Sequence, residues 1–418
     1  MLDRTIAPAF VEPKKFKLPE PRCITFDQGA RFFLLKTGDQ PVVRLEIIFK
    51  AGSWFETQPG IAYFAGKMLS EGTDSFTSKD IAEKLDQYGA FVELQPGFDY
   101  INFSVHIPSR HFIKIIPVLQ EMLFAPTFPE GEFELMKQIQ TRQLSVQEQK
   151  NNYVASRLLR SGLYPQSPYG HVMDAESIQN SSVDQVRAHF DNWMGSFDIF
   201  LTGDFDEVVE QSIFNAFQYQ KSKSHGFTGR ERTEPPHFTK HIDKEASLQS
   251  SIFLGRRCTN RNTKGYGALL LLNEVFGGYF GSRLMQNIRE DKGFTYGIHS
   301  HFVTLKNDAY FVVSTDVKKQ HKEESLTEIQ KEIDRLKSDL VGADELQEVK
   351  NYLKGSVLNT LTSPFALADK LKNIYFYDLG LDYYDRIFDE IDQTNSEHLK
   401  HLANEHLFDQ PLSGVVVG

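Results

Sequence analysis

Apolar and polar residues alternate over 42–49, which puts Val43, Leu45 and Ile47 on one face, the pattern of a half-buried strand. Residues 61–69 change to helical spacing. Residues 78–88 continue it, with Ile81 and Leu85 four apart and Gly89 as a stop. Alternation returns over 100–107, and 112–123 and 133–144 read as amphipathic helices. Further on, Leu284 and Ile288 give the apolar face of a helix over about 282–291. Gly293 suits its C-terminal cap, and 294–303 runs on as a strand. Strands beside strands, with helices grouped between them, predict an α+β fold with a largely antiparallel sheet.

The later part of this pattern occurs twice. When the sequence is slid along itself until Lys137 falls on Lys350, 154–158 falls on 367–371, 182–194 on 395–407 and 198–205 on 411–418. One offset across four segments predicts two copies of one domain of roughly 200 residues. The stretch 221–239 is polar, charged and carries Pro235-Pro236, the composition of a linker. The expected units are therefore 1–220 and 240–418, joined by 221–239.

Composition narrows the function. Of 418 residues 40% are hydrophobic and 24% charged, as in an ordinary globular protein. The net charge of −10, with 46 basic and 56 acidic residues spread along the chain, gives no basic face for nucleic acid. No apolar run is long enough for a secretory signal or a membrane span. Cys23 and Cys258 lack CxxC spacing and read as reduced thiols, so a cytoplasmic location is expected.

Three ordered motifs in the first half carry a family resemblance: Ala51-Gly52-Ser53-Trp54-Phe55-Glu56, then Gly60-Ile61-Ala62-Tyr63-Phe64, then Met68-Leu69-Ser70-Glu71-Gly72-Thr73. Ser167-Pro168-Tyr169-Gly170 follows. In the second half come Gly281-Ser282-Arg283-Leu284, Ile288-Arg289-Glu290, Lys292-Gly293 and Tyr296. The series resembles the pitrilysin/insulinase-type zinc peptidases over nearly the whole chain. The resemblance implies two homologous domains that form a half-chamber. Active members carry an inverted H-x-x-E-H motif on the helix after the first strand, with two His on zinc and the Glu activating water. Here those positions are Tyr63, Gly66 and Lys67, and the family's third ligand, a Glu further along the chain, falls at Gln143.

None of the four suits zinc, which takes imidazole, thiolate or carboxylate. A phenol of pKa ~10 and a neutral amide are poor replacements. An ammonium about 4 Å from a dication is repelled by several kcal/mol even at an effective dielectric of ~20. Gly66 removes the general base and costs the helix about 1 kcal/mol relative to Ala. This chain is expected to bind no cofactor itself, with zinc carried by a partner.

The resemblance also implies that Arg289 and Tyr296, seven positions apart, match the second-domain pair that holds the substrate carbonyl or its oxyanion. It places extended substrate along an edge strand matched by Phe91-Val92-Glu93-Leu94-Gln95. Adding a peptide strand there uses backbone hydrogen bonds and tolerates varied sequences. The run Gly277-Gly278-Tyr279-Phe280-Gly281-Ser282 lacks a phosphate-loop ending and reads as a turn before the helix. His299 and His301 alternate along the strand without an apparent third ligand. The expected function is the non-zinc subunit of a heterodimeric metallopeptidase, paired with a homologous chain bearing H-x-x-E-H. The alternative is a catalytically inactive homodimer that binds peptides or serves as a scaffold. An independent hydrolase with a relocated metal lacks a three-ligand set.

Overall fold

The computed structural model describes residues 17–218, 234–361 and 363–418. Most of the linker expected at 221–239, up to residue 233, lies outside the described residues. The first sheet contains β1 (Arg22–Thr25), β2 (Arg31–Lys36), β3 (Val42–Phe49), β4 (Phe91–Pro96), β5 (Ile101–Pro108) and β6 (Phe197–Gly203), in the order β1-β2-β6-β3-β5-β4. The second contains β7 (Thr239–Ile242), β8 (Gln249–Cys258), β9 (Thr295–Thr304), β10 (Ala309–Lys318) and β11 (Ser413–Val417), in the order β7-β11-β8-β10-β9. Setting β1 aside, the two orders are the same. Each sheet holds one parallel pair, β2 with β6 and β7 with β11, and is otherwise antiparallel.

The repeat is visible in side-chain detail. Lys137 Nζ donates to the carbonyls of Gln179 and Ser181, at 3.1 and 3.2 Å. Lys350 Nζ donates to the carbonyl of Asp392 at 2.9 Å, and Asp392 follows Lys350 at the same separation as Gln179 follows Lys137. The same lysine in each half ties one helix to the end of the next.

Each half lends a helix to the other's sheet. Asn151–Leu163 packs on β8 and β11 through Ala155, Leu159 and Leu163, against Val312, Val415 and Val417. Its counterpart in the second copy, Pro364–Phe376, lies on the first sheet, with Tyr375 against Phe33 at 4.3 Å and Phe376 against Tyr100 at 4.5 Å between centroids.

The exchange corrects the reading of 42–49 as half-buried: every residue of β3 beyond Val42 is buried. Val43, Leu45 and Ile47 face the apolar core, as the alternation predicts. Arg44 and Glu46 face the borrowed helix. Arg44 meets Asp369 at 2.9 Å and Glu46 at 3.0 Å, while Lys372 meets Glu46 at 2.5 Å and Asp369 at 3.1 Å. Two cations and two anions balance, with Arg44 and Glu46 buried and Asp369 partly exposed. Alternation shows that Arg44 and Glu46 point away from the core, but not that a helix from the far half of the chain covers them.

A second clasp joins the hairpin turns of the two sheets. Asp99, in the β4–β5 turn, accepts from the Tyr169 hydroxyl at 2.5 Å and from the Lys306 amide at 3.0 Å. The Asn307 amide, in the β9–β10 turn, donates to the Tyr169 oxygen at 3.1 Å. The Ser-Pro-Tyr-Gly motif thus joins the two halves.

Candidate functional site

The helix Ile61–Lys67 is started by a carboxylate. Gly60 takes a left-handed φ of 99° at its N-cap, and Glu56 Oε2 accepts from the amides of Gly60 and Ala62 at 3.1 and 3.2 Å. A negative charge suits a helix N-terminus. Burial nonetheless pushes the Glu56 carboxyl up to about 7, with these two amides pulling the other way.

Tyr63 and Lys67 lie one turn apart on this helix and share a face. Tyr63 is half-buried, its ring 5.5 Å from that of Phe64, and burial raises the phenol above its ordinary pKa. Lys67 Nζ donates to the main-chain oxygen of Leu94 at 2.5 Å. Leu94 lies in β4, the edge strand that carries Phe91, Val92, Glu93 and Gln95. Phe91 is exposed and Leu94 faces the core.

Gly66 is where the helix touches the β4–β5 hairpin. A Cβ there would lie 2.9 Å from Pro96 Cγ and 3.0 Å from Ile101 Cγ2. A side chain at Gly66, the position that the resemblance gives to the general base, would therefore require these neighbours to shift. Gln143 is exposed on the helix Glu130–Glu148. A phenol, a glycine, an ammonium and an exposed amide do not form a zinc site. Among the described residues no three His, Cys, Asp or Glu stand close enough to share a metal ion.

In the second half, Arg289 lies in the last turn of a wide-turned helical segment, Met285–Asp291, after which Lys292 N reaches back to Asn287 O and Phe294 N to Ile288 O. Such π-turns recur at functional sites. The strand that follows is bulged: β9–β10 pairing slips between Thr315 and Val317. Thr295 Oγ1 holds the bulge by donating to Asp316 O and accepting from the Gly297 amide. A bulge re-aims a side chain, and Tyr296 is 93% exposed.

The Arg289 guanidinium carbon lies 4.3 Å from the Phe280 ring centroid and 5.7 Å from that of Tyr296. Both rings thus lie within cation–π reach of a guanidinium whose Nη1 is buried and meets no acceptor among the described residues. Phe280, 60% exposed, is the member that sequence reading missed. It lies inside the glycine-rich run Gly277–Ser282, where an exposed aromatic among glycines was the available signal. No hydrogen bond, ion pair or ring contact among the described residues joins this cluster to Tyr63 and Lys67.

Glu274 borders the same glycine-rich run. A Cβ on Gly278 would come within 2.6 Å of its Oε1, and its Oε2 is buried without a partner. Burial pushes its carboxyl from 4.5 up to about 7, opposed by a hydrogen bond from Asn273. A folded-state pKa above the unfolded one favours folding most below pH 4.5, and that advantage is lost as pH rises through about 7. Glu274→Gln is therefore expected to leave stability near wild type at pH 4.5. Denaturant titration should show it gaining about 1–3 kcal/mol over wild type by pH 8.

No helix among the described residues is long and apolar enough to cross a membrane, and Cys23 and Cys258 are not joined in a disulfide.

Two family descriptions match the chain in order. "Insulinase (Peptidase family M16)" matches residues 31–174 and "Peptidase M16 inactive domain" residues 181–353. A Bacillus subtilis protein named "uncharacterized zinc protease YmxG" is 24% identical over 91% of this chain and 94% of its own length. A Helicobacter pylori protein named "non-peptidase homolog YmxG" is 21% identical over 88% of this chain and 86% of its own. A crystal structure of a peptidase M16 inactive domain from Pseudomonas fluorescens is 26% identical and superposes with a TM-score of 0.87, over 95% of this chain and 98% of that one. The chain belongs to the insulinase, or M16, peptidase family and is of its inactive type.

Proposed function

We propose that this chain is the zinc-less subunit of a two-chain metallopeptidase, and that its partner is a homologous chain bearing H-x-x-E-H. The observation that carries the reading is the state of Arg289 and Tyr296. Packing alone would bury the tyrosine ring, yet a bulge turns it to solvent beside a guanidinium with an unused buried donor. Such donors suit a carbonyl oxygen as it becomes an oxyanion. A guanidinium carries several N–H donors, and a tyrosine hydroxyl adds an O–H donor.

In this reading the partner's zinc supplies the activated water. This chain supplies the oxyanion donors and, along Phe91–Gln95 of β4, an edge on which an extended peptide adds as a strand. The units 1–220 and 240–418, meeting in 221–239, form one half of the chamber. Two cysteines outside any disulfide suit a reducing cytoplasm. A second reading, a homodimeric peptide-binding scaffold, draws on the loss of every zinc donor, but it gives the exposed Arg289/Tyr296 pair no task.

Sedimentation velocity on this chain, alone and mixed with an H-x-x-E-H-bearing homologue from the same organism, separates the two readings. A one-to-one complex that hydrolyses peptides supports the heterodimer. A stable homodimer that ignores the homologue overturns it.

A further inference from the structure

Resting on the peptide-binding reading above, we infer that the degenerate metal pocket has reversed its polarity: Lys67 and Tyr63 form a subsite for a carboxylate of an extended peptide lying on β4. The β4–β5 turn closes with the Gly97 amide donating to Tyr100 O. Bonded pairs alternate along an antiparallel ladder, so Gln95/Asn102 and Glu93/Ser104 are the bonded pairs. Val92 and Leu94 then turn their main-chain groups to the free edge. Lys67 Nζ is fixed on one of these edge oxygens, that of Leu94. An ammonium has three N–H donors and a carbonyl oxygen two lone pairs. The contact therefore anchors a cation at the edge and still leaves Leu94 able to pair with an added strand.

That cation lacks a counter-charge. Among the described residues Lys67 makes no ion pair, although acidic residues outnumber basic ones in the chain. One turn back, the half-buried Tyr63 hydroxyl offers a second donor that also has no partner among the described residues. The two groups that would compete for the ammonium in an active relative are gone: the motif's Glu is Gly66, closed off by Pro96 and Ile101, and the third ligand's place holds Gln143. The helix face thus offers two donors, neither of which meets a carboxylate among the described residues. A charge-assisted hydrogen bond from a lysine to a carboxylate is its natural complement.

Fluorescence anisotropy on the full chain tests this with two labelled extended peptides that differ only by one Glu→Gln change. Wild type is expected to bind the Glu peptide at least about tenfold more tightly. Lys67→Met should abolish the preference, Lys67→Arg should keep it, and Tyr63→Phe should reduce it about two- to fivefold. Circular dichroism confirms that each variant is folded. Equal binding of the two peptides by wild type, or a preference that survives Lys67→Met, overturns the subsite while leaving peptide binding standing. Failure of both peptides to bind overturns the peptide-binding reading and this inference with it.

Discussion

Replacing Tyr296 by Phe is expected to lower kcat of the reconstituted pair by about 10²–10³-fold, the usual effect of removing one oxyanion donor. The ring stays, so its place beside Arg289 and the fold should be unchanged; only the hydroxyl is lost. Arg289→Ala should cost as much or more, with part of the loss in KM if the guanidinium also anchors the peptide. It also removes the cation that both Phe280 and Tyr296 meet. Neither change empties a core, so both variants should still co-purify with the partner. Steady-state kinetics on the mixed chains checks this, and a Tyr296→Phe pair within about twofold of wild type assigns the two residues to structure.

Writing the zinc motif back, as Tyr63→His with Gly66→Glu and Lys67→His, is expected to fail in two ways. The Glu would have to grow from a backbone where even a Cβ meets Pro96 at 2.9 Å and Ile101 at 3.0 Å. Overpacking of this kind typically costs about 1–3 kcal/mol, or more where backbone must move. Loss of Lys67 also frees the Leu94 oxygen it holds. The triple variant should unfold at markedly lower denaturant and hold no stoichiometric zinc after dialysis. The same variant with Pro96→Ala added should recover part of the stability. A stable triple variant with one tightly held zinc would show that the pocket was never closed.

Much of this was legible in the sequence because local patterns carried it. The strand at 42–49 and the helix from Ile61 follow from periodicity, and the edge position of Phe91–Gln95 was what the resemblance implied. The single internal offset that sets Lys137 on Lys350 found the equivalent helices and the two lysines that tie each half together. Tertiary contacts were not legible. Arg44 and Glu46 read as a polar face because alternation cannot show that Pro364–Phe376 arrives from the other half to cover them. Gly66 read as a lost base; only the approach of the β4–β5 hairpin shows that its side chain is excluded by space. Phe280 was passed over because a glycine-rich run is read for its backbone, whereas the ring it carries lies nearer to Arg289 than Tyr296 does.

The most direct test of the central claim is peptide hydrolysis by the purified chain, alone and titrated with the H-x-x-E-H-bearing homologue. Neither chain alone is expected to cleave, and activity should rise to a plateau at one to one, be abolished by a chelator and be restored by zinc. Chelator-sensitive cleavage by this chain alone, persisting after its partner is rigorously removed, would contradict that claim.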